Sequence, residues 1–192
     1  MVSSYLSHAQ LNVPQQLVSL ELAKLEDFLV TSQPPAVRWQ YQIPELGEGG
    51  ACSLFGHLQD EPFKLTDYLA EDTQTEQRLA QLQGIVDYVV EKTGVDWFGI
   101  YQNTQTEEGA QLLKLAYFGA PSRPLFPLTE QFASGSNNVQ VAMNSKGRVI
   151  NNVEQFLASG GEYYTCDPKV KSEACLPLFD AQNNCVGIVD GE

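Results

Sequence analysis

The sequence predicts a mixed α/β fold of the α+β type, in which helices flank a series of consecutive strands. An amphipathic helix is predicted over residues 75–93, because apolar side chains recur there with the helical period. Two strands separated by a polar turn are predicted after it, over residues 95–103 and 111–118. A hairpin is predicted to close the chain, over residues 174–190. Together these elements indicate a sheet with helices packed against it.

Residues 1–73 are predicted to form an N-terminal extension, and residues 74–192 the main domain. Pro14 suits the first position of a helix over residues 14–31, whose apolar stripe comprises Val18, Leu22, Leu25 and Leu29. Alternating apolar residues predict a half-buried strand over residues 37–43, namely Val37, Trp39, Tyr41 and Ile43. A short helix is predicted over residues 64–70. Because these apolar side chains need burial, we expect the extension to dock on the main domain.

The closing hairpin places acidic side chains at the ends of its strands. Glu173 stands immediately before the first strand, which leads into a polar turn at residues 180–184. Asp190 and Glu192 are two residues apart near the end of the second strand, so their carboxylates project from the same face. We therefore predict that these three carboxylates lie in one neighbourhood.

A cysteine lies shortly before this hairpin. Cys166 is followed by Asp167 and Pro168, and this favours a loop, because the residue before a proline is disfavoured in a helix. The thiol and the hairpin carboxylates then come together at one end of the sheet. Such an arrangement is typical of a functional site.

Two stretches of the chain resemble the free methionine-(R)-sulfoxide reductases, a family with the GAF fold. From Cys166 the sequence reads C-D-x-x-x-x-S-E-x-x-x-P-L, and V-G-I-V-D-x-E follows the polar turn. The stretch from Trp97 to Tyr101 is similar to the family's W-x-G-x-Y strand. The resemblance covers roughly residues 75–192. It implies a GAF-like domain with a central antiparallel sheet of five to six strands, helices on one side and a pocket on the other.

The resemblance also implies roles for individual residues. Cys166 is the attacking thiol, with Asp167 beside it in the catalytic loop. The residues that contact substrate are Trp97, Tyr101, Glu173, Asp190 and Glu192. Clustered carboxylates beside an aromatic face attract an ammonium group by charge and by cation–π contact. We therefore expect these residues to line one cavity that suits a small zwitterionic or cationic ligand.

The sequence departs from the family at two cysteine positions. The family carries two further cysteines between the W-x-G-x-Y strand and the C-D loop, whereas residues 119–128 and 133–138 contain none. Cys175 and Cys185 fall where strand residues are expected, and we predict that they are small buried side chains. Cys52, which follows two glycines and an alanine, is a candidate resolving thiol, and Cys175 or an external thiol are the alternatives.

Two functions of different class follow. The chain is either a non-catalytic GAF module that binds an amino-acid-like ligand, or an active reductase that uses Cys166 and a thioredoxin-like reductant. A purely structural role is the third alternative, and the apolar stripe of residues 14–31 or the outer face of residues 75–93 could then form a homodimer. No cofactor is expected, because the chain has neither an N-K-F-D-E-like run nor a cysteine–histidine chromophore pair.

Composition narrows the range of partners. The formal net charge of −13 over 192 residues argues against binding to nucleic acid or to an anionic membrane. The N-terminal segment lacks a basic region followed by an apolar core, so we predict a cytoplasmic protein with reduced cysteines. His8 and His57 are isolated in the sequence, and no metal site is predicted.

Overall fold

The computed structural model describes residues 1–46, 53–161, 163 and 169–192. The helices in this part of the chain are α1 (Val2–His8), α2 (Gln15–Thr31), α3 (Thr73–Thr93), α4 (Glu130–Ala133), α5 (Asn137–Asn144) and α6 (Val153–Ala158). The strands are β1 (Gln40–Tyr41), β2 (Pro44–Leu46), β3 (Ser53–Leu58), β4 (Phe63–Lys64), β5 (Phe98–Thr106), β6 (Gly109–Phe118), β7 (Leu125–Pro127), β8 (Arg148–Ile150), β9 (Glu173–Phe179) and β10 (Cys185–Gly191). Cys52, Cys166 and Asp167 lie outside the described residues, and their predicted roles stay predictions.

A six-stranded antiparallel sheet forms the centre of the fold. Its strand order is β7-β6-β5-β10-β9-β8, so the last strand of the chain lies between β5 and β9. Asp190 on β10 is paired with Gly99 on one neighbour and with Cys175 on the other. The predicted fold class, an antiparallel sheet flanked by helices, is confirmed. Asp190 is thereby placed in the middle of the sheet.

Helix α3 covers one face of the sheet. Its start is fixed by Asp72, whose side chain accepts a hydrogen bond from the backbone N–H of Thr75 at 2.8 Å. It ends at Gly94, which has a positive φ of 68° that an amino acid with a side chain rarely adopts. Val86 packs against a small cluster on the sheet, comprising Phe98, Ile100 and Ala116. Capping and apolar periodicity thus explain this helix.

Helix α2 packs on the outside of α3. The rings of Phe28 and Tyr88 lie 5.2 Å apart at this contact. The predicted stripe is only partly covered, since Val18, Leu25 and Leu29 are half-buried whereas Leu22 is 43% exposed. The helix begins at Gln15, so Pro14 occupies the N-cap position, without a side-chain hydrogen bond, and is not the first helical residue as predicted.

The second face of the sheet is covered by α5 and by residues 37–69. Helix α5 packs against β9 and β10. Tyr41, Ile43 and Leu65 are buried in one core with residues of the sheet, including Trp97 and Tyr101. The face on which we expected a pocket therefore carries a helix and part of the N-terminal segment. The division of the chain into an extension (residues 1–73) and a main domain (residues 74–192) stays a prediction.

The N-terminal segment differs in detail from the prediction. The expected strand over residues 37–43 is reduced to β1, which pairs with β4 over two residues. The expected helix at residues 64–70 is a single 3-10 turn at Leu65–Asp67, because so short a stretch seldom sustains an α-helix on its own. Apolar and polar residues alternate over residues 37–43 because Tyr41 and Ile43 are buried against the central sheet.

Candidate functional site

Two acidic side chains lie side by side beneath α5. Glu173 opens β9, and Asp190 lies near the end of β10. Because Cys175 is paired with Asp190 and stands two residues after Glu173, both carboxyl groups share one face of the sheet. They are 5% and 3% exposed, and they hydrogen-bond to each other. A hydrogen bond between two carboxyl groups requires a proton on one of them.

The first turn of α5 supplies two amide donors to this acid pair. Ser136 caps the helix by accepting a hydrogen bond from Val139 N–H at 3.3 Å. Asn137 donates through Nδ2 to Glu173 Oε1, and Asn138 donates through Nδ2 to Asp190 Oδ2 at 3.1 Å. The partial positive charge at the helix N-terminus adds to this stabilisation. Sequence reasoning missed both asparagines, although two adjacent buried amides in a first turn signal a polar partner nearby.

Tyr163 and Arg148 complete the surroundings of Glu173. The Tyr163 hydroxyl donates a hydrogen bond to the Glu173 carboxyl group. Arg148 on β8 lies close enough for its positive charge to favour the ionised form of Glu173, and it donates to Gln140 on α5. Neither Tyr163 nor Arg148 was predicted from the sequence. Arg148 reaches the acid pair only because β8 pairs with β9, and Tyr163 lies in the connection between α6 and β9.

Burial dominates the electrostatics of the acid pair. It raises the pKa of Glu173, although hydrogen bonds from Tyr163 and Asn137 oppose the shift. Burial raises the pKa of Asp190 well above its usual value, and the charges of Glu173 and Glu192 raise it further. The pair therefore retains a proton at a pH at which isolated carboxyl groups have lost theirs.

Two buried acceptor atoms of the site are unpaired. Asp190 Oδ1 and Asn137 Oδ1 have no hydrogen-bond partner among the described residues. Leaving a buried polar atom unpaired costs about 1–3 kcal/mol, and more for a charged group. Asn137 Oδ1 can only accept a hydrogen bond, and Asp190 Oδ1 accepts one whenever the proton of the pair lies on another oxygen. A group rich in N–H donors would satisfy them.

The two aromatic residues predicted for the site lie on the same sheet face. The ring centroids of Trp97 and Tyr101 are 6.3 Å apart, and both side chains are buried. Trp97 covers Gly99, where any Cβ atom would collide with the indole ring. Burial raises the pKa of Tyr101, and the charge of Asp190 raises it further. Tyr101 is therefore within electrostatic reach of the acid pair.

A buried lysine occupies the aromatic part of this face. Lys114 on β6 is 0% exposed, and its Nζ donates to Ser122 O at 2.8 Å and to Ser122 Oγ at 2.7 Å. Nζ lies 3.9, 4.9 and 6.0 Å from the ring centroids of Tyr117, Tyr41 and Trp97. Burial lowers the pKa of the Lys114 amine well below its ordinary value, and the nearby Arg38 charge lowers it further. This residue was not predicted from the sequence, because a lysine within a strand is usually exposed.

The other predicted residues occupy less central positions. Glu192 is half-buried, its backbone N–H donates to Trp97 O at 2.9 Å, and its charge raises the pKa of Asp190. Cys175 is fully buried, as predicted, and burial raises the pKa of its thiol well above the usual value. Cys185 is half-buried, and its Sγ donates to Gly187 O at 3.2 Å. A thiol held protonated by burial is a poor nucleophile, which argues against Cys175 as a redox partner.

Two surface cavities of the molecule have linings that do not include the acid pair. One of about 510 Å³ lies between α1 and the end of α5, and one of about 580 Å³ lies between α2 and α3. Whether the predicted site residues line one cavity stays a prediction. Within the described ranges, no group of three or more histidine, cysteine or acidic side chains is placed to hold a metal ion.

Known proteins share this fold. No protein-family profile matches the sequence, and no curated protein does. The structure is similar to a type II free methionine-R-sulfoxide reductase from Thermoplasma acidophilum, with 21% identity, a TM-score of 0.50, and coverage of 61% of this chain and 74% of that chain. A free methionine-R-sulfoxide reductase from Neisseria meningitidis aligns with 19% identity, a TM-score of 0.48, and coverage of 65% and 77%. A GAF domain aligns with 15% identity, a TM-score of 0.46, and coverage of 59% and 61%.

These similarities concern the fold. The chain shares the fold of the Thermoplasma acidophilum protein, in agreement with the GAF-like fold that the resemblance in the sequence implied. In the described part of the chain, no helix has the length and apolar character needed to cross a bilayer.

Proposed function

We propose that the protein binds a small amino-acid-like ligand, whose primary ammonium group contacts the Glu173–Asp190 pair. The observation that carries this proposal is the pair of unpaired buried acceptors, Asp190 Oδ1 and Asn137 Oδ1, beside two carboxyl groups. An ammonium group offers three N–H donors and a positive charge. The ammonium group can donate the missing hydrogen bonds, and its positive charge complements the acidic pair.

The energetics support a binding role for the pair. A buried acid pair with an unpaired oxygen destabilises the free protein, because carboxyl groups lose their hydration on burial. A ligand that supplies the missing donors relieves this cost only in the complex. Polar groups that weaken the free protein in this way are common at functional sites.

Titration calorimetry with free methionine sulfoxide tests the proposal. We expect binding that weakens about 10–100-fold in Asp190→Asn, because a hydrogen bond to a charged group contributes about 1.5–3 kcal/mol. N-acetylmethionine sulfoxide, which has no ammonium group, should bind as weakly to the wild type. Glu91→Gln is a matched control, since it removes an exposed carboxylate at the end of α3 on the opposite sheet face.

Equal affinities of the wild type and Asp190→Asn would contradict the proposal. So would tight binding of the acetylated compound. A panel of other free amino acids, measured in the same way, tests whether the side chain of the ligand is recognised as well as its ammonium group.

A second candidate function is reduction of free methionine-(R)-sulfoxide. Its support is the raised pKa of Asp190, which keeps a carboxylic acid available at neutral pH to protonate a sulfoxide oxygen. The Cys166 thiol would then attack sulfur, take the oxygen as a sulfenic acid and release methionine. A second thiol would form a disulfide with loss of water, and a thioredoxin-like reductant would reduce that disulfide. The Thermoplasma acidophilum protein of similar fold is named as such a reductase.

Single-turnover measurements separate the two candidates. With dithiothreitol present, a reductase releases at least one equivalent of methionine, and Cys166→Ser releases none. With a thioredoxin-like reductant in place of dithiothreitol, which itself reduces sulfenic acids, Cys52→Ser should retain one equivalent but lose multiple turnover if Cys52 is the resolving thiol. Unchanged turnover in Cys52→Ser would assign resolution to an external thiol. Absence of methionine from the wild type would exclude reduction and leave the binding function.

A further inference from the structure

We infer that Tyr41, Trp97, Tyr117 and Ser122 form a binding site for a primary alkylammonium ion, and that the side chain of Lys114 occupies it permanently. These four residues are called the aromatic site below. The inference concerns a part of the sheet face that is distinct from the Glu173–Asp190 pair.

The geometry around Lys114 Nζ is that of a cation site. Three rings lie within 6.0 Å of the nitrogen, measured to their centroids, and the Tyr117 ring is only 3.9 Å away. A cation within about 6 Å of a ring centroid is attracted by the negative face of the ring. Both oxygens of Ser122 can accept from the amine, so the site recognises N–H donors as well as charge.

The Lys114 amine is surrounded by three aromatic rings and the two oxygens of Ser122 instead of a carboxylate. Lys24–Glu21 and Lys92–Glu91 form salt bridges, both exposed, whereas Lys114 has no carboxylate within 4.0 Å among the described residues. A buried amine without a carboxylate is stable only where other groups compensate its lost hydration. The aromatic site supplies part of that compensation, because burial and the charge of Arg38, whose Cζ lies 4.8 Å from the Tyr117 ring centroid, still lower the pKa of the Lys114 amine.

Distant parts of the chain build the aromatic site. Tyr41 comes from β1, Trp97 precedes β5, Tyr117 lies on β6, and Ser122 lies in the loop before β7. The Tyr41 hydroxyl also donates to Lys114 O at 2.8 Å, which fastens the N-terminal segment to the sheet. Because Lys114 fills this site, the ammonium group of a ligand is directed to the Glu173–Asp190 pair; this last consequence rests on the proposed function.

Shortening the lysine should open the site to an external ion. Lys114→Ala removes Cγ, Cδ, Cε and Nζ, which together have the shape of n-propylammonium. We expect n-propylammonium to raise the Tm of Lys114→Ala in a saturable manner, because a ligand that binds only the folded state stabilises it. The wild type and Lys114→Met, whose side chain refills the space, should show no such rise. Tetramethylammonium should be less effective, because it cannot donate to Ser122.

The Asp190→Asn background keeps this test independent of the acid pair. The effect of n-propylammonium on Lys114→Ala should persist when Asp190→Asn is added, and its loss would place the ion at the acid pair and overturn the inference. A Tm of Lys114→Ala that does not respond to n-propylammonium would overturn it as well. Failure of amino acids to bind the wild type would sink the proposed function while leaving this result intact.

A measurement on the wild type covers the case in which Lys114→Ala does not fold. Ring currents should shift the Hε resonances of Lys114 upfield of those of the other lysines in the NMR spectrum. The shift should diminish in Tyr41→Leu, which removes one wall. Lys114 resonances at ordinary lysine positions would overturn the inference.

Discussion

Two buried charged regions occupy the same face of the sheet, and they differ in how well their polar atoms are satisfied. At Lys114, two hydrogen bonds to Ser122 and three rings surround a single amine. At the Glu173–Asp190 pair, Asp190 Oδ1 and Asn137 Oδ1 lack partners among the described residues. The polar atoms of the first region find hydrogen-bond partners within the chain, whereas two acceptor atoms of the second region do not.

This difference distinguishes a structural residue from a binding site. Burial of a polar group is costly unless it is hydrogen-bonded, so a complete internal network is what a structural residue requires. An incomplete network of acceptors in a buried position instead indicates a missing donor. We therefore assign a structural role to Lys114 and a binding role to the acid pair, and the following predictions test that assignment.

The largest effect is expected for Lys114→Ala. The change leaves a cavity among three rings and should lower the free energy of unfolding by about 2–5 kcal/mol, as for truncation of other long buried side chains. Lys114→Met should cost less than about 1.5 kcal/mol, because it refills the volume and removes a buried amine. Urea unfolding of both variants measures the two values. Equal losses would show that the charge, and not the volume, stabilises this region.

Gly99→Ala should have the next largest effect. A Cβ atom at this position collides with the Trp97 ring, which forms one wall of the aromatic site, and Gly99 is the residue paired with Asp190 on β10. We expect a loss of about 1–3 kcal/mol in the free energy of unfolding, in keeping with overpacked cores. Trp97 fluorescence should shift at the same time. An unchanged spectrum and stability would mean that Trp97 is not held over β5.

Asp190→Asn should stabilise the free protein. The amide keeps an acceptor for Asn138, offers an N–H donor to Glu173 and removes the need for a buried shared proton. We expect a gain on the order of 1 kcal/mol at neutral pH, which is the usual net contribution of one hydrogen bond. Chemical denaturation measures the gain. A strong loss of stability would show that the free protein depends on the ionised carboxyl group.

The pH dependence of stability should have opposite signs in the two regions. The raised pKa values of Glu173 and Asp190 mean that the folded state binds more protons than the unfolded state above about pH 4, so the stability contributed by the pair falls as pH rises. The lowered pKa of Lys114 means that the unfolded state binds more protons, so its contribution to stability rises as pH approaches about 10.

Denaturation from pH 4 to pH 10 checks both signs. Asp190→Asn should flatten the acidic part of the profile, and Lys114→Met should flatten the alkaline part. The changes in slope are the smallest effects expected, because other carboxyl and tyrosine groups titrate over the same range. A profile in which neither variant differs from the wild type would contradict the pKa directions.

Much of the fold could be predicted from local patterns. Helical periodicity over residues 75–93 corresponds to α3, and the polar turn at residues 180–184 corresponds to the turn between β9 and β10. The short helices α1, α4 and α6 were not predicted, because four to seven residues carry too little periodicity. The pair Glu173 and Asp190 was singled out because both stand at strand ends of one hairpin.

The partners of that pair could not be predicted in the same way. Asn137 and Asn138 are more than thirty residues from Glu173 along the chain, and only the packing of α5 on β9 and β10 brings them together. Lys114 was overlooked because a lysine within a strand is usually exposed. Its burial depends on Tyr41, which is 73 residues away along the chain.

The sequence by itself determined the helices and strands of substantial length, the face of the hairpin on which Asp190 lies, and the excess of negative charge. Those properties follow from local periodicity and composition, which are independent of how elements meet. The tertiary structure alone decided that β10 inserts between β5 and β9, that two asparagines meet the acid pair, and that Lys114 is enclosed by three rings. Each of these depends on contacts between residues far apart in sequence, because burial and hydrogen-bond partners are set by packing and not by the identity of a residue and its neighbours.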